Sequence, residues 1–138
     1  MALMDISASL ISELTRRARE AAEHAYAPYS NFPVGAAVLA PGGQIYAGAN
    51  VENASYGLSI CAERSAIFQA VAQGARSIHA LAVYTPTAAA TPPCGACRQV
   101  MTEFGPDVLV ICSCDDASAQ RRYTLADLLP KAFGPRHL

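Results

Sequence analysis

Charge is scarce in this chain of 138 residues: Asp, Glu, Lys and Arg make up 15% of it, against about 25% in ordinary soluble domains. The 10 basic and 11 acidic residues leave a formal net charge of -1. No bulk positive field exists to hold a polyphosphate backbone, so nucleic acid is not an expected partner. Long apolar runs are missing too. No stretch approaches the about 20 apolar residues of a membrane span, and Met1 to Leu10 lacks a basic segment followed by an apolar one. The expectation is a soluble, cytoplasmic protein with no membrane partner. Repeats are absent, and the one low-complexity stretch, Thr85 to Pro93, is too short to separate domains. A single domain over 1–138 fits, because domains cluster around 100–150 residues. Hydrophobic residues reach 52%. With so little charge to cover a small domain, some of the surface is expected to be buried between subunits.

Cysteine is what the chain does have. Cys61, Cys94, Cys97, Cys112 and Cys114 in an unexported protein are poor candidates for a disulfide framework, which leaves metal binding or catalysis.

Periodicity places these cysteines on elements. Leu10, Leu14, Ala18 and Ala21 recur at three and four residues within Ser7 to His24, an amphipathic helix with a small-residue face. Val34 to Ala40 and Gln44 to Val51 flank Pro41-Gly42-Gly43, a turn short enough to force an antiparallel hairpin. Ile60 to Gln73 reads as a helix stopped by Gly74, Ile78 to Tyr84 as a strand, Cys94 to Phe104 as a helix closed by Gly105-Pro106, and Val108 to Cys112 as a strand. The intervals between these strands admit crossover helices, so the strands can lie parallel in a sheet covered by helices. Ser113 to Ala119 is too short for another crossover, so a strand over Gln120 to Tyr123 must return antiparallel; Thr124 and Asp127 then form a capping box for a short last helix. The fold class is α/β with a mixed sheet.

Two cysteine motifs thus open helices: Cys61-Ala62-Glu63, and Pro93-Cys94-Gly95-Ala96-Cys97. Cys94 and Cys97, three apart at a helix start, can aim both sulfurs at one ion, and Cys61 from a neighbouring helix start completes a tripod. Three protein ligands leave the fourth tetrahedral position of Zn2+ for water, which separates a catalytic from a closed structural site. Glu63 is placed to reach that water without being a ligand. Three thiolates make zinc a poorer acid for its water, and helix N-termini together with Arg64 offer compensation.

A zinc ligand two residues before a glutamate, followed later by Pro-Cys-x-x-Cys, is the signature of zinc nucleobase deaminases. The likeness extends further. Tyr29-Ser30-Asn31-Phe32-Pro33-Val34-Gly35-Ala36-Ala37, Asn50-Val51-Glu52-Asn53-Ala54-Ser55-Tyr56, Cys61-Ala62-Glu63-Arg64 and Pro93-Cys94-Gly95-Ala96-Cys97-Arg98-Gln99-Val100 resemble the small homotetrameric cytidine deaminases. The match runs from about Tyr26 to the Phe133-Gly134 tail. It implies a three-layer α/β/α fold with a mixed five-stranded sheet whose last strand is antiparallel. It also implies hydrolysis of cytidine and 2′-deoxycytidine to the uridines and ammonia in pyrimidine salvage: zinc activates water for attack on C4 while Glu63 shuttles protons. On the same resemblance, Arg64 hydrogen-bonds ligand sulfurs. Asn50 and Glu52 bind the ribose hydroxyl, Phe32 stacks near the base, and the Ala62 backbone reads the pyrimidine edge. Tyr56 and Phe133 reach the ligand from neighbouring subunits of a homotetramer, so that active sites are shared. Pro92 departs from the family's usual serine before Pro-Cys; only a contact through its carbonyl would survive.

Plainer readings stand beside these. A closed structural zinc site would draw its fourth ligand from Cys112, Cys114 or His79, making the protein a non-catalytic zinc module; that leaves Glu63 and Asn50-Val51-Glu52 unexplained. A deaminase of a cytosine antibiotic such as blasticidin S shares the cysteines and glutamate but lacks the ribose-binding Asn-Val-Glu. Polynucleotide deaminases generally carry histidine where Cys61 stands. Cys112 and Cys114 are expected as packed thiols and Arg98 as a surface or interface residue. His24 and His137 are expected in solvent, and Arg16, Arg17 and Arg19 on a solvated helix face.

Overall fold

The computed structural model describes residues 6–138. The first half of the Met1 to Leu10 stretch, considered for a leader, therefore lies outside the described residues. The first helix, α1 (Ala8–Ala22), starts where the Ser7 side chain accepts the Leu10 N–H, replacing a hydrogen bond that a helix start otherwise lacks. Its buried face is Ile11, Leu14, Ala18, Ala21 and Ala22, with Leu10 packed half-buried against the same core. Strands β1 (Gly35–Leu39) and β2 (Ile45–Ala49) pair antiparallel around Gly42 and Gly43, both at φ near +90°, where only glycine is unstrained. Next come α2 (Ala62–Ala72), β3 (Ala80–Tyr84), α3 (Gly95–Phe104), β4 (Leu109–Ser113), β5 (Arg121–Thr124) and α4 (Leu125–Leu128).

The five strands form one sheet in the order β2-β1-β3-β4-β5. β3 and β4, joined through α3, are parallel; every other neighbouring pair is antiparallel, including the last. The connection from β4 to β5 holds only one short turn of 3-10 helix, Ala117–Ala119. The capping box is present: Thr124 Oγ1 accepts from the Asp127 N–H, and Asp127 accepts from the Thr124 N–H.

Alternation along the strands divides the core into two layers. Ala37, Leu39, Ala80, Ala82, Tyr84 and Ile111 pack against α1. Ala36, Val38, Leu81, Val83, Val110 and Cys112 pack on the other side with Ala62, Ala66 and Ile67 of α2 and Cys97 and Met101 of α3. Two glycines set how closely helices approach the sheet. A Cβ on Gly35 would stand 1.9 Å from the Ala18 carbonyl oxygen of α1, and one on Gly48 would stand 2.5 Å from the Ala66 nitrogen of α2. The approach at Gly48 bears on chemistry, because α2 carries Cys61, Glu63 and Arg64 at its start. No helix among the described residues is long and apolar enough to cross a membrane.

Candidate active site

Helices α2 and α3 begin side by side, and each uses a cysteine as its first capping residue. Cys61 precedes α2 and Cys94 precedes α3, both with extended backbone and neither spending its side chain on the helix end. Cys97 follows in the first turn of α3 and is fully buried. The three sulfurs lie within 4.8 Å of one another, with Cys61 to Cys94 at 3.9 Å and Cys94 to Cys97 at 3.4 Å. A tetrahedral zinc with sulfur ligands at about 2.3 Å needs sulfurs about 3.8 Å apart, so the triad fits that ion. Among the described residues no fourth His, Cys, Asp or Glu joins the cluster. His79 lies at the opposite end of β3, and Cys112 and Cys114 are buried elsewhere, the former in the core and the latter against the Ala88 and Asp116 carbonyls. Burial pushes the Cys112 thiol up to about 12.

The electrostatics favour thiolate at Cys61. Hydrogen bonding from the Cys97 thiol, reinforced by Arg64, pulls Cys61 down to about 5, while Cys97 itself moves up. Arg64 Nη2 donates to Cys61 Sγ at 3.2 Å. Its Nε is buried with no partner among the described residues. Glu63 is 5% exposed; burial, aided by the Cys61 charge, lifts its carboxyl to about 7. A carboxyl poised there can accept and release a proton near neutral pH.

Of these groups, Cys61 and Glu63 line a cavity of about 400 Å³. Cys61, Ala62 and Glu63 line it together with Ser30, Phe32, Val34, Asn50, Glu52, Val83, Thr85, Thr91 and Pro92. Asn50 and Glu52 also brace the loop that carries Phe32. Asn50 donates to the Phe32 carbonyl and accepts the Val34 N–H, both at 2.9 Å. Glu52 accepts the Tyr29 and Ser30 N–H groups at 3.0 and 3.1 Å and the Ser30 hydroxyl, and this bonding, the Ser30 hydroxyl foremost, holds its carboxyl below the usual value.

Of the substrate residues named from the sequence, Tyr56 and Phe133 lie outside this cavity within the single chain. Tyr56 is 75% exposed and meets Tyr29 edge to face; Phe133 is 59% exposed and stacks on His137. Val83, Thr85 and Thr91 line the cavity without having been singled out. Thr85 and Thr91 belong to a stretch read only as a loop, and Val83 to a continuous apolar strand, so neither carried a local signal. Arg98, expected at the surface or an interface, is half-buried in this chain and donates at 2.7 Å to both the Pro93 and Leu128 carbonyls.

Comparison with known proteins agrees with this geometry. A family model of the cytidine and deoxycytidylate deaminase zinc-binding region matches residues 8–113. The chain is 45% identical over 128 residues to a cytidine deaminase of Sporosarcina psychrophila, covering 93% of this chain and 94% of that one. It is 48% identical over 120 residues to one of Halalkalibacterium halodurans, covering 87% and 91%. The crystal structure of cytidine deaminase from Burkholderia pseudomallei superposes with a TM-score of 0.85 at 49% identity, covering 88% of this chain and 98% of that one.

Proposed function

The chain belongs to the cytidine and deoxycytidylate deaminase family, and from that membership we infer that it hydrolyses cytidine and 2′-deoxycytidine to the corresponding uridines with release of ammonia. The observation that carries the reading is a single buried carboxyl, Glu63, in one cavity with the start of a three-cysteine metal site. Zinc held by Cys61, Cys94 and Cys97 would supply, when bound, Lewis acidity that activates a water as nucleophile.

The protein's own groups do the rest. Glu63 takes the proton of the attacking water, passes it to ring N3, and delivers a second proton to the departing amine. Phe32 offers an aromatic face to the base. Asn50 and Glu52, held rigid by the loop they brace, retain acceptor capacity for a sugar hydroxyl. Arg64 shares the negative charge of the sulfurs, which offsets the weakening effect of three thiolates on the metal's acidity. A nucleoside is favoured over a nucleotide, because the described residues lining the cavity include two carboxyls, Glu52 and Glu63, and no cation; a 5′-phosphate would find no counter-charge there.

The same reading extends to a homotetramer. Tyr56 and Phe133 are large, exposed and outside their own chain's cavity, as suits residues that complete a neighbouring subunit's site in a homotetramer. The test is ultraviolet-monitored turnover of cytidine, deoxycytidine and deoxycytidine monophosphate by the native chain and by Glu63→Gln. Chelator-sensitive turnover of the two nucleosides, lost in a Glu63→Gln protein that still binds zinc, is the expected result. Native-level turnover by that variant would refute the proton shuttle, and preferred turnover of the monophosphate would refute the nucleoside assignment.

A further inference from the structure

We propose that Arg98 is a positioning residue for the active site: its guanidinium spans the Pro93 and Leu128 carbonyls, so that α4 and the core beneath it fix both the Thr91-Pro92 wall of the cavity and the Cys94 sulfur. This rests on the reading of Cys94 as a zinc ligand. The segment that leads into Cys94 is short of hydrogen bonds. Thr91, Pro92 and Pro93 run from the cavity wall directly into it, and the two prolines have no N–H to donate. Among the described residues these three share one hydrogen bond, from Arg98 Nε to the Pro93 carbonyl at 2.7 Å. Without it, the backbone bond from the Arg98 N–H to the Cys94 carbonyl at 3.1 Å still ties Cys94 to α3, but nothing polar holds the three residues before it.

The other end of the guanidinium is anchored firmly. Nη1 donates at 2.7 Å to the carbonyl of Leu128, the last residue of α4, where a helix end presents acceptors without partners and favours a cation. Leu125 of α4 is buried, and Leu128 and Leu129 pack against the core cluster that contains Cys97. The capping box of Thr124 and Asp127 fixes the start of that helix. Gln99, the next residue, adds a parallel tie by donating to the Phe133 carbonyl at 2.9 Å. One turn of α3 therefore binds the metal loop on one side and the C-terminal segment on the other. The rigid planar fork holds the two carbonyls at a fixed separation; a lysine ammonium, a point charge on a flexible stem, imposes no such spacing.

The deciding experiment measures zinc release to a chelator from the full-length protein, comparing native chain, Arg98→Lys and Arg76→Lys. Arg76 is the control, since it also donates to two carbonyls, of Val71 and Ala75, at the far end of α2. Arg98→Lys is expected to release zinc about tenfold faster, as loss of an outer partner of a metal ligand does. Its KM for cytidine should rise more than kcat per bound zinc falls, and its cobalt-substituted form should show altered thiolate-to-metal absorption. Arg76→Lys should match the native chain in all three. An Arg98→Lys protein that holds one zinc, releases it at the native rate and shows native cobalt absorption overturns the proposal, even if its melting temperature drops. A native chain that binds no zinc at all overturns the reading of the three cysteines, and this proposal with it.

Discussion

At the scale of single residues, Glu63 trades stability for chemistry. Its carboxyl is lifted from 4.5 to about 7 chiefly by burial, so between those values the folded chain binds more of its proton than the unfolded chain does. A raised folded value means the group's contribution is favourable at low pH and is lost as pH rises through about 7. In chelator-stripped protein, Glu63→Gln should therefore be more stable than the native chain at pH 8, by up to roughly 3 kcal/mol, and the gap should close towards pH 4.5; denaturant titration at both pH values measures it. Equal stability at pH 8 would contradict the burial argument. Glu52 shows the opposite sign. Its folded value is depressed, foremost by the Ser30 hydroxyl, so its support of the loop is present above 4.5 and is lost as pH falls through the lower folded value. Hydrogen-exchange protection of the Tyr29 and Ser30 amides should collapse in acid. The Val34 amide, held by the neutral side chain of Asn50, should keep its protection through the same range.

At the scale of elements, the site depends on how near α2 lies to the sheet. Gly48, opposite Ala36 in the hairpin, leaves room for the first turns of α2; a methyl group there would meet Ala66 N at 2.5 Å and the Ser65 carbonyl carbon at 2.9 Å. Both obstacles are backbone and cannot rotate away. Gly48→Ala should cost about 1–3 kcal/mol in chemical denaturation, and should also lower kcat, since the shifted turn carries Cys61, Glu63 and Arg64. Gly57→Ala, whose added methyl meets nothing within 4 Å, should do neither. At the other end of the molecule, Thr124→Ala removes one half of the α4 capping box at a cost of about 1 kcal/mol. Because α4 anchors Arg98, that variant should also release zinc faster, whereas a cap acting only locally would leave release unchanged.

At the scale of the whole molecule, a chain with 15% charged residues exposes Tyr26, Tyr29, Val51, Tyr56 and Leu58, and Tyr29 and Tyr56 line a hollow that shares Ser30 and Glu52 with the cavity. If Tyr56 completes a neighbour's site, Glu63→Gln and Tyr56→Ala chains, each impaired alone, should regain activity when mixed under conditions that exchange subunits, because some sites then combine an intact Glu63 with an intact Tyr56. Activity of the mixture equal to the average of the two would remove Tyr56 from the shared site, and elution of the native chain as a monomer would remove the tetramer. The sequence by itself determined the elements and the reacting groups: helix periodicity, the Gly42-Gly43 turn and the Thr124 and Asp127 cap act over a few residues, and Cys61, Glu63, Cys94 and Cys97 announce their chemistry by type and spacing. Tertiary structure alone decided that Val83, Thr85 and Thr91 wall the cavity and that Asn50 and Glu52 brace the loop bearing Phe32. It also decided that Arg98 points inward to Leu128, 30 residues away. These are contacts between segments distant in the chain, and neither periodicity nor composition encodes which carbonyl or which wall a side chain will meet once the sheet has ordered them.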